Sequence, residues 1–155
     1  MAKSLSAILE AYEAKRESLI PILHDVNDAH GFVSEKAMQA IADYLTVSPT
    51  EVYGTATFYH FFNTKQKGTY VIRVCQSISC DLAGKDAIIR ALEKELKIPV
   101  GGTTKNGRFT LEKTNCIGMC DQGPAMLVNK KVYTKLTPQK IKKIIAELKK
   151  KGGKK

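Results

Sequence analysis

No apolar run in this 155-residue chain approaches the ~20 residues that cross a bilayer. The first residues, MAKSLSAILEAYEAKRESLI, carry Glu10, Glu13 and Glu17 among polar residues. They match neither a secretory signal nor an acid-poor transit peptide, so a cytoplasmic protein without direct membrane insertion is expected. Gly101-Gly102 is not a G-x-G-x-x-G turn, and no Walker sequence occurs. The chain therefore offers no recognisable NAD, FMN or ATP site of its own. Internal repeats are absent, and cysteine is confined to four positions.

What is present is an ordinary globular composition, 43% hydrophobic and 26% charged. A chain of this length buries roughly 70% of its unfolded surface and needs no disulfides to fold. The net charge of +10 suggests nucleic acid until it is located. From Lys130 onward there are eleven lysines and one acidic residue, Glu147, whereas residues 1–129 hold 14 basic and 14 acidic residues. The body is neutral, and the basicity belongs to a C-terminal helix and tail.

Hydrophobic spacing divides the chain in two. Ile8, Leu9, Tyr12, Leu19, Ile20 and Leu23 recur at roughly helical intervals from Ser6 to His24, with Pro21 as a kink or boundary. His30-Gly31 suits a helix end, and Ser34 caps a second helix with Ala37, Met38, Ile41, Ala42 and Leu45 inward. Ser48-Pro49-Thr50-Glu51 has the form of a capping box with proline at the first helical position. It opens a third helix, to Phe62, with Val52, Tyr53, Ala56, Tyr59 and Phe62 inside. Residues 1–65 are thus predicted to form a three-helix bundle, with a polar linker at 63–68.

Residues 66–150 read differently. Tyr70–Cys75 is a β-branched strand, Leu82–Leu96 a helix, and Arg108–Thr114 an alternating strand. Met126–Val128 and Lys131–Tyr133 form a hairpin through Asn129-Lys130. Thr137-Pro138 starts a last helix, ended by Gly152-Gly153, and residues 151–155 form a basic tail. The expected class is α+β or α/β, with the second domain ordered β-α-β-β-β-α.

The four cysteines fall into this second domain as two pairs, Cys75/Cys80 and Cys116/Cys120. Four residues separate the first pair and three the second, with thirty-five between. One pair ends a strand and precedes a helix; the other flanks a loop between strands. Two such loops can converge at one sheet edge, each pair holding one iron of a [2Fe-2S] cluster. Gly118 would let backbone N–H groups approach the sulfurs, and the N-terminus of the Leu82 helix would favour their negative charge. Structural zinc, a disulfide pair and unrelated buried thiols are the alternatives; zinc pairs are commonly tighter, and disulfides are disfavoured without a secretory signal. His24, His30 and His60 are scattered without a partner motif and read as structural. A zinc-stabilised winged-helix DNA-binding protein is a further reading, but the third helix contains no Lys or Arg.

The pattern C75-x4-C80 … C116-I-G-M-C120-D-Q-G-P124 resembles the small thioredoxin-like [2Fe-2S] subunit of NADH dehydrogenases, in the NADH-oxidising module of complex I. It is similar, too, to the matching subunit of NAD-linked, electron-bifurcating [FeFe]-hydrogenases and of formate dehydrogenases. The segments G31-F-V-S-E, V47-S-P-T-E-V-Y-G-T-A-T-F-Y-H-F-F62 and Y70-V-I-R-V-C75 extend the likeness to about residues 15–148. The resemblance implies a thioredoxin-like second domain and Cys75, Cys80, Cys116 and Cys120 as ligands of one [2Fe-2S] cluster. It implies a one-electron carrier with no catalytic site, beside a partner subunit bearing FMN and NAD and among further iron-sulfur subunits, with no nucleic acid involved. A storage cluster off the main electron path is the alternative. In that fold the proline before an inner strand is commonly cis, and Pro124 occupies the place. The Lys-rich end beyond Leu148 departs from the family pattern.

Overall fold

The structure, a computed structural model, describes residues 3–151 and divides the chain into two compact units, Met1–Lys67 and Gly68–Lys155.

The first unit is helical. Ser4 accepts the Ala7 N–H and starts a short α1, Leu5–Leu9. A 3-10 turn follows at Arg16–Ser18, then α2 at Leu19–His30. The continuous helix expected from Ser6 to His24 is therefore broken across residues 10–15. Pro21 does not break it: in the first turn of α2 no intrahelical N–H bond is required of it. The gap is held instead by Tyr12, whose hydroxyl donates to Asp25 at 2.9 Å, and by Tyr44, whose hydroxyl donates to the Tyr12 carbonyl at 2.7 Å. α2 ends at Gly31, whose φ of 80° is the left-handed conformation glycine accepts without strain.

Ser34 caps α3, Glu35–Leu45, and Ser48 caps α4, Pro49–Phe58, accepting from Thr50 N–H. The reciprocal half of the expected capping box is replaced, since the Glu51 carboxylate takes the Arg16 guanidinium. α4 also stops four residues earlier than predicted, because Tyr59 is extended. Val52, Ala56 and Phe62 are buried as expected, whereas Tyr53 lies exposed. With α1, the unit contains four α-helices among the described residues, in place of the expected three. Asn63, read as the start of a linker, is tied in: its backbone N–H donates to Asn27 Oδ1, and its side chain donates to the Gly31 carbonyl.

The second unit mixes helix and sheet in the order β1 Tyr70–Cys75, α5 Ile78–Leu82, α6 Lys85–Leu96, β2 Phe109–Thr114, β3 Met126–Val128, β4 Lys131–Tyr133 and α7 Pro138–Lys151. The strands lie β2-β1-β3-β4. β1 pairs parallel with β2, placing Cys75 opposite Thr114, and antiparallel with β3. The β3–β4 hairpin turns at Asn129, φ 53°. The helix predicted from Leu82 to Leu96 is two helices, because Gly84 at φ 91° ends one and begins the next. α6 and α7 pack on each other and share with the strands a core containing Ile72, Leu92, Leu111, Met126, Ile141 and Ile145.

Thr110 is the one buried polar residue among those described, and its hydroxyl is fully used by the Gly68 N–H at 2.7 Å and Thr103 Oγ1 at 2.8 Å. Arg108 closes the far end, donating to the Leu148 and Lys149 carbonyls of α7. The predicted stop at Gly152-Gly153 and the last residues of the basic tail lie outside the described residues. Among those described, no helix is long and apolar enough to cross a membrane.

Candidate metal centre

β1 is the inner strand that delivers the first sulfur. At its C-terminal end the Cys75 N–H donates to the Ala125 carbonyl at 3.1 Å, and the Gln76 N–H to the Thr114 carbonyl at 2.9 Å. Cys75 is thus held from the β3 side and the next residue from the β2 side. The chain then turns through Ser77 into α5, and Cys80 is the third residue of that short helix rather than a residue just before a long one. Cys75 and Cys80 are each 1% exposed and pack with Ala125, Ile117 and Met119.

The second pair comes from the loop between β2 and β3. Cys116 and Cys120 are exposed, and their Sγ atoms stand 3.3 Å apart. The Gly118 N–H donates to Cys116 Sγ at 3.4 Å. An N–H group is brought to sulfur here as the sequence suggested, but for a different reason. Nothing lies within 4 Å of a Cβ at Gly118, so the glycine answers to its φ of 80° and not to crowding. Cys120 opens a single 3-10 turn, Cys120–Gln122, and the chain enters β3 through a cis Gly123–Pro124 peptide.

The two loops meet. Ile117 and Met119 of the second loop pack against Cys75, Cys80 and Ala125. Gly123 fits against α5, where a Cβ would stand 3.2 Å from that of Ala83 and 3.6 Å from the Cys80 Cα. Cys75 and Cys80 share one buried cluster, whereas the direct sulfur–sulfur contact is that of Cys116 with Cys120.

The thiols are not electrostatically alike. Burial pushes Cys75 up, but the Ser77 hydroxyl at 3.2 Å and backbone N–H groups outweigh it, and Cys75 lies below the ordinary thiol value. Burial raises Cys80, and the Cys75 thiolate adds to that rise. Cys120 is raised chiefly by its bond to Cys116. Lys85, held by Asp81 at 2.9 Å, also feels the charge on Cys75.

The loops that carry all four sequence-predicted ligands therefore meet at one end of the sheet, where β1 and β2 finish. The sulfurs stand two and two; no three Cys, His, Asp or Glu side chains surround a single point among the described residues. With metal–sulfur bonds of about 2.3 Å, two ligands of a tetrahedral ion sit roughly 3.8 Å apart. The Cys116/Cys120 pair is within about half an ångström of that spacing. An all-thiol set of four has the donor chemistry of a two-iron cluster. Sequence reasoning did not single out Ser77 or Lys85. Ser77 lies between two ligands and offered a signal. Of the histidines, His24 stacks on Phe61 with centroids 5.0 Å apart.

A family model described as thioredoxin-like [2Fe-2S] ferredoxin matches residues 5–149. The alpha subunit of the NAD-reducing hydrogenase HoxS from Cupriavidus necator is 43% identical over 149 residues, 96% of this chain and 25% of that protein. A NADH-quinone oxidoreductase subunit from Buchnera aphidicola is 42% identical, covering 89% of this chain and 85% of the relative. The NADP-reducing hydrogenase subunit HndA of Solidesulfovibrio fructosivorans is 36% identical, covering 90% and 81%. Among solved structures, an NAD+-reducing [NiFe]-hydrogenase in the air-oxidized state matches with a TM-score of 0.75 and 28% identity, over 86% of this chain and 23% of that one. The chain thus spans about a quarter of the length of the HoxS alpha subunit and of the hydrogenase chain, but most of the other two relatives.

Proposed function

The chain belongs to the thioredoxin-like [2Fe-2S] ferredoxin family, and on that premise we propose that it is the electron-carrying subunit of an NAD-linked oxidoreductase complex. Cys75, Cys80, Cys116 and Cys120 hold one [2Fe-2S] cluster, which when bound supplies one-electron transfer. The observation that carries this reading is the placement of every cysteine of the chain on two loops that meet at one end of one sheet.

The chain's own residues do the positioning. Cys75 and Cys80 are shielded from water, the Ser77 hydroxyl bonds the Cys75 sulfur, and the Gly118 N–H points at the Cys116 sulfur, favouring charge there. Cys116 and Cys120 form the exposed side, where a second protein reaches closest to the ligands. The partner is a flavin-bearing, NAD-binding subunit, in keeping with the NAD-linked complexes to which the relatives belong. The complex is an electron-bifurcating hydrogenase or an NADH dehydrogenase, and the protein works in the cytoplasm.

Anaerobic reconstitution with iron and sulfide tests the reading. The expected product has a visible absorption band and, after one-electron reduction, a paramagnetic resonance signal, both lost in Cys75→Ser. Reconstituted protein with neither signal, or an equally coloured Cys75→Ser variant, refutes it.

A further inference from the structure

The four thiols are divided by access as well as by position. Cys75 and Cys80 are 1% exposed and fixed, one by the ladders of an inner strand and the other within α5. Cys116 and Cys120 are exposed, and their sulfurs already touch at 3.3 Å. A disulfide requires about 2.05 Å, an approach of little more than an ångström in a segment outside the strands. Resting on the ligand assignment above, we propose that Cys116 and Cys120 close into a reversible disulfide in the cluster-free chain while Cys75 and Cys80 stay reduced, so that thiol redox state gates cluster insertion.

The oxidant is a low-molecular-weight disulfide such as oxidised glutathione. One outer thiolate attacks a sulfur of that disulfide, a protein–glutathione bond forms, and one glutathione leaves as its thiolate. The second outer thiolate then attacks the protein-bound sulfur, and the other glutathione leaves. Two protein thiols have been oxidised to one disulfide, and one small disulfide has been reduced to two thiols; the protons pass to the leaving thiolates or to water. The attack needs an unobstructed line along the S–S axis, which the outer pair provides and the buried pair does not. Gly118 N–H, 3.4 Å from Cys116 Sγ, stabilises negative charge on that outer sulfur in either direction of the exchange. A bridged sulfur is no longer a thiolate ligand, so the oxidised chain keeps two ligands of four. A dithiol reductant restores all of them.

The experiment uses the full chain, stripped of iron anaerobically and incubated with oxidised glutathione. Free thiols are alkylated, and intact mass and peptide mapping are read without reference to any cluster. The expected product has lost two hydrogens, carries no glutathione, and bridges Cys116 to Cys120, with Cys75 and Cys80 alkylated only after denaturation. Given iron and sulfide without added thiol, it takes up no more cluster than an untreated blank, while a twin first reduced with dithiothreitol loads fully. Retained glutathione on wild-type protein, a bridge that includes Cys75 or Cys80, or full loading of the bridged chain overturns the proposal. Cys120→Ser, which cannot bridge, is expected to keep one glutathione. If the bridge forms but the reduced twin does not load, the ligand assignment and the gate fall together, and the mass data identify that case.

Discussion

Gly118→Ala separates two reasons for having glycine beside a metal ligand. An added Cβ at Gly118 would meet no atom within 4 Å, so the substitution is sterically free. Its φ of 80° is nevertheless a conformation that costs an L-residue ~1–2 kcal/mol. Alanine also restricts the unfolded chain, which returns ~0.4–1 kcal/mol. The net expectation is a destabilisation of about 1 kcal/mol, roughly fivefold in the folding equilibrium. Gly123→Ala inverts the logic. There φ is −62°, which alanine adopts freely, but the new Cβ would press on the Ala83 Cβ at 3.2 Å. A shift of a few tenths of an ångström in α5 relieves it, and the unfolded-state gain offsets the strain, so stability should stay within ~0.5 kcal/mol of wild type. The assay is native-state amide exchange of Ile72 and Leu111 in reduced, cluster-free protein, which isolates the opening of the second unit. Gly118→Ala as protected as wild type, or Gly123→Ala less protected than Gly118→Ala, would refute the reasoning.

Two further predictions concern the scaffold. Arg108→Met keeps the aliphatic stem but removes the donor to the Leu148 and Lys149 carbonyls; one half-exposed nitrogen serving both is worth about 1–2 kcal/mol, read as faster exchange in the last turn of α7 with α6 unchanged. Tyr12 titrates above its ordinary value, chiefly because its hydroxyl donates to Asp25. A raised folded value means that this stabilisation is complete below pH ~10 and lost as pH climbs through the folded value. Tyr12→Phe should therefore cost the helical unit about 0.5 kcal/mol at neutral pH and reduce its loss of stability in alkali, measured by urea midpoints across that range.

How far the residues announced the structure depended on how local each cause was. Ser34 and Ser48-Pro49 mark helix starts because capping is settled within three residues. The strand at Tyr70–Cys75 and the hairpin at Asn129-Lys130 follow from side-chain shape and turn chemistry. The break at residues 10–15 was hidden because Tyr12 preserves the apolar spacing while its hydroxyl bonds a distant carboxylate. α5 escaped because five residues are too few to show a period, and Gly84 reads equally well as a tolerated interruption. Tyr53 was read as inward beside Val52, but neighbours on a helix stand about 100° apart, and with Val52 and Ala56 buried Tyr53 falls on the exposed side. At the candidate metal centre the four cysteines could be named from their letters, but the Ser77 hydroxyl bonded to Cys75 could not, since only the folded turn decides which group meets which sulfur.

The placement of Cys75 at the end of an inner strand carries a consequence in time. Its two neighbouring strands lie much later in the chain, with Thr114 opposite it on one side and Val74 paired with Met126 on the other. A slip of either ladder by one residue would turn alternate side chains of β1 to the wrong face and carry the sulfur away from Cys80. The position of the Cys75 sulfur is therefore settled only once distant segments have found their correct alignment, whereas Cys116 and Cys120 meet within one loop. One pair of thiols is a product of long-range register and the other of a local turn, so an error in either ladder separates the two.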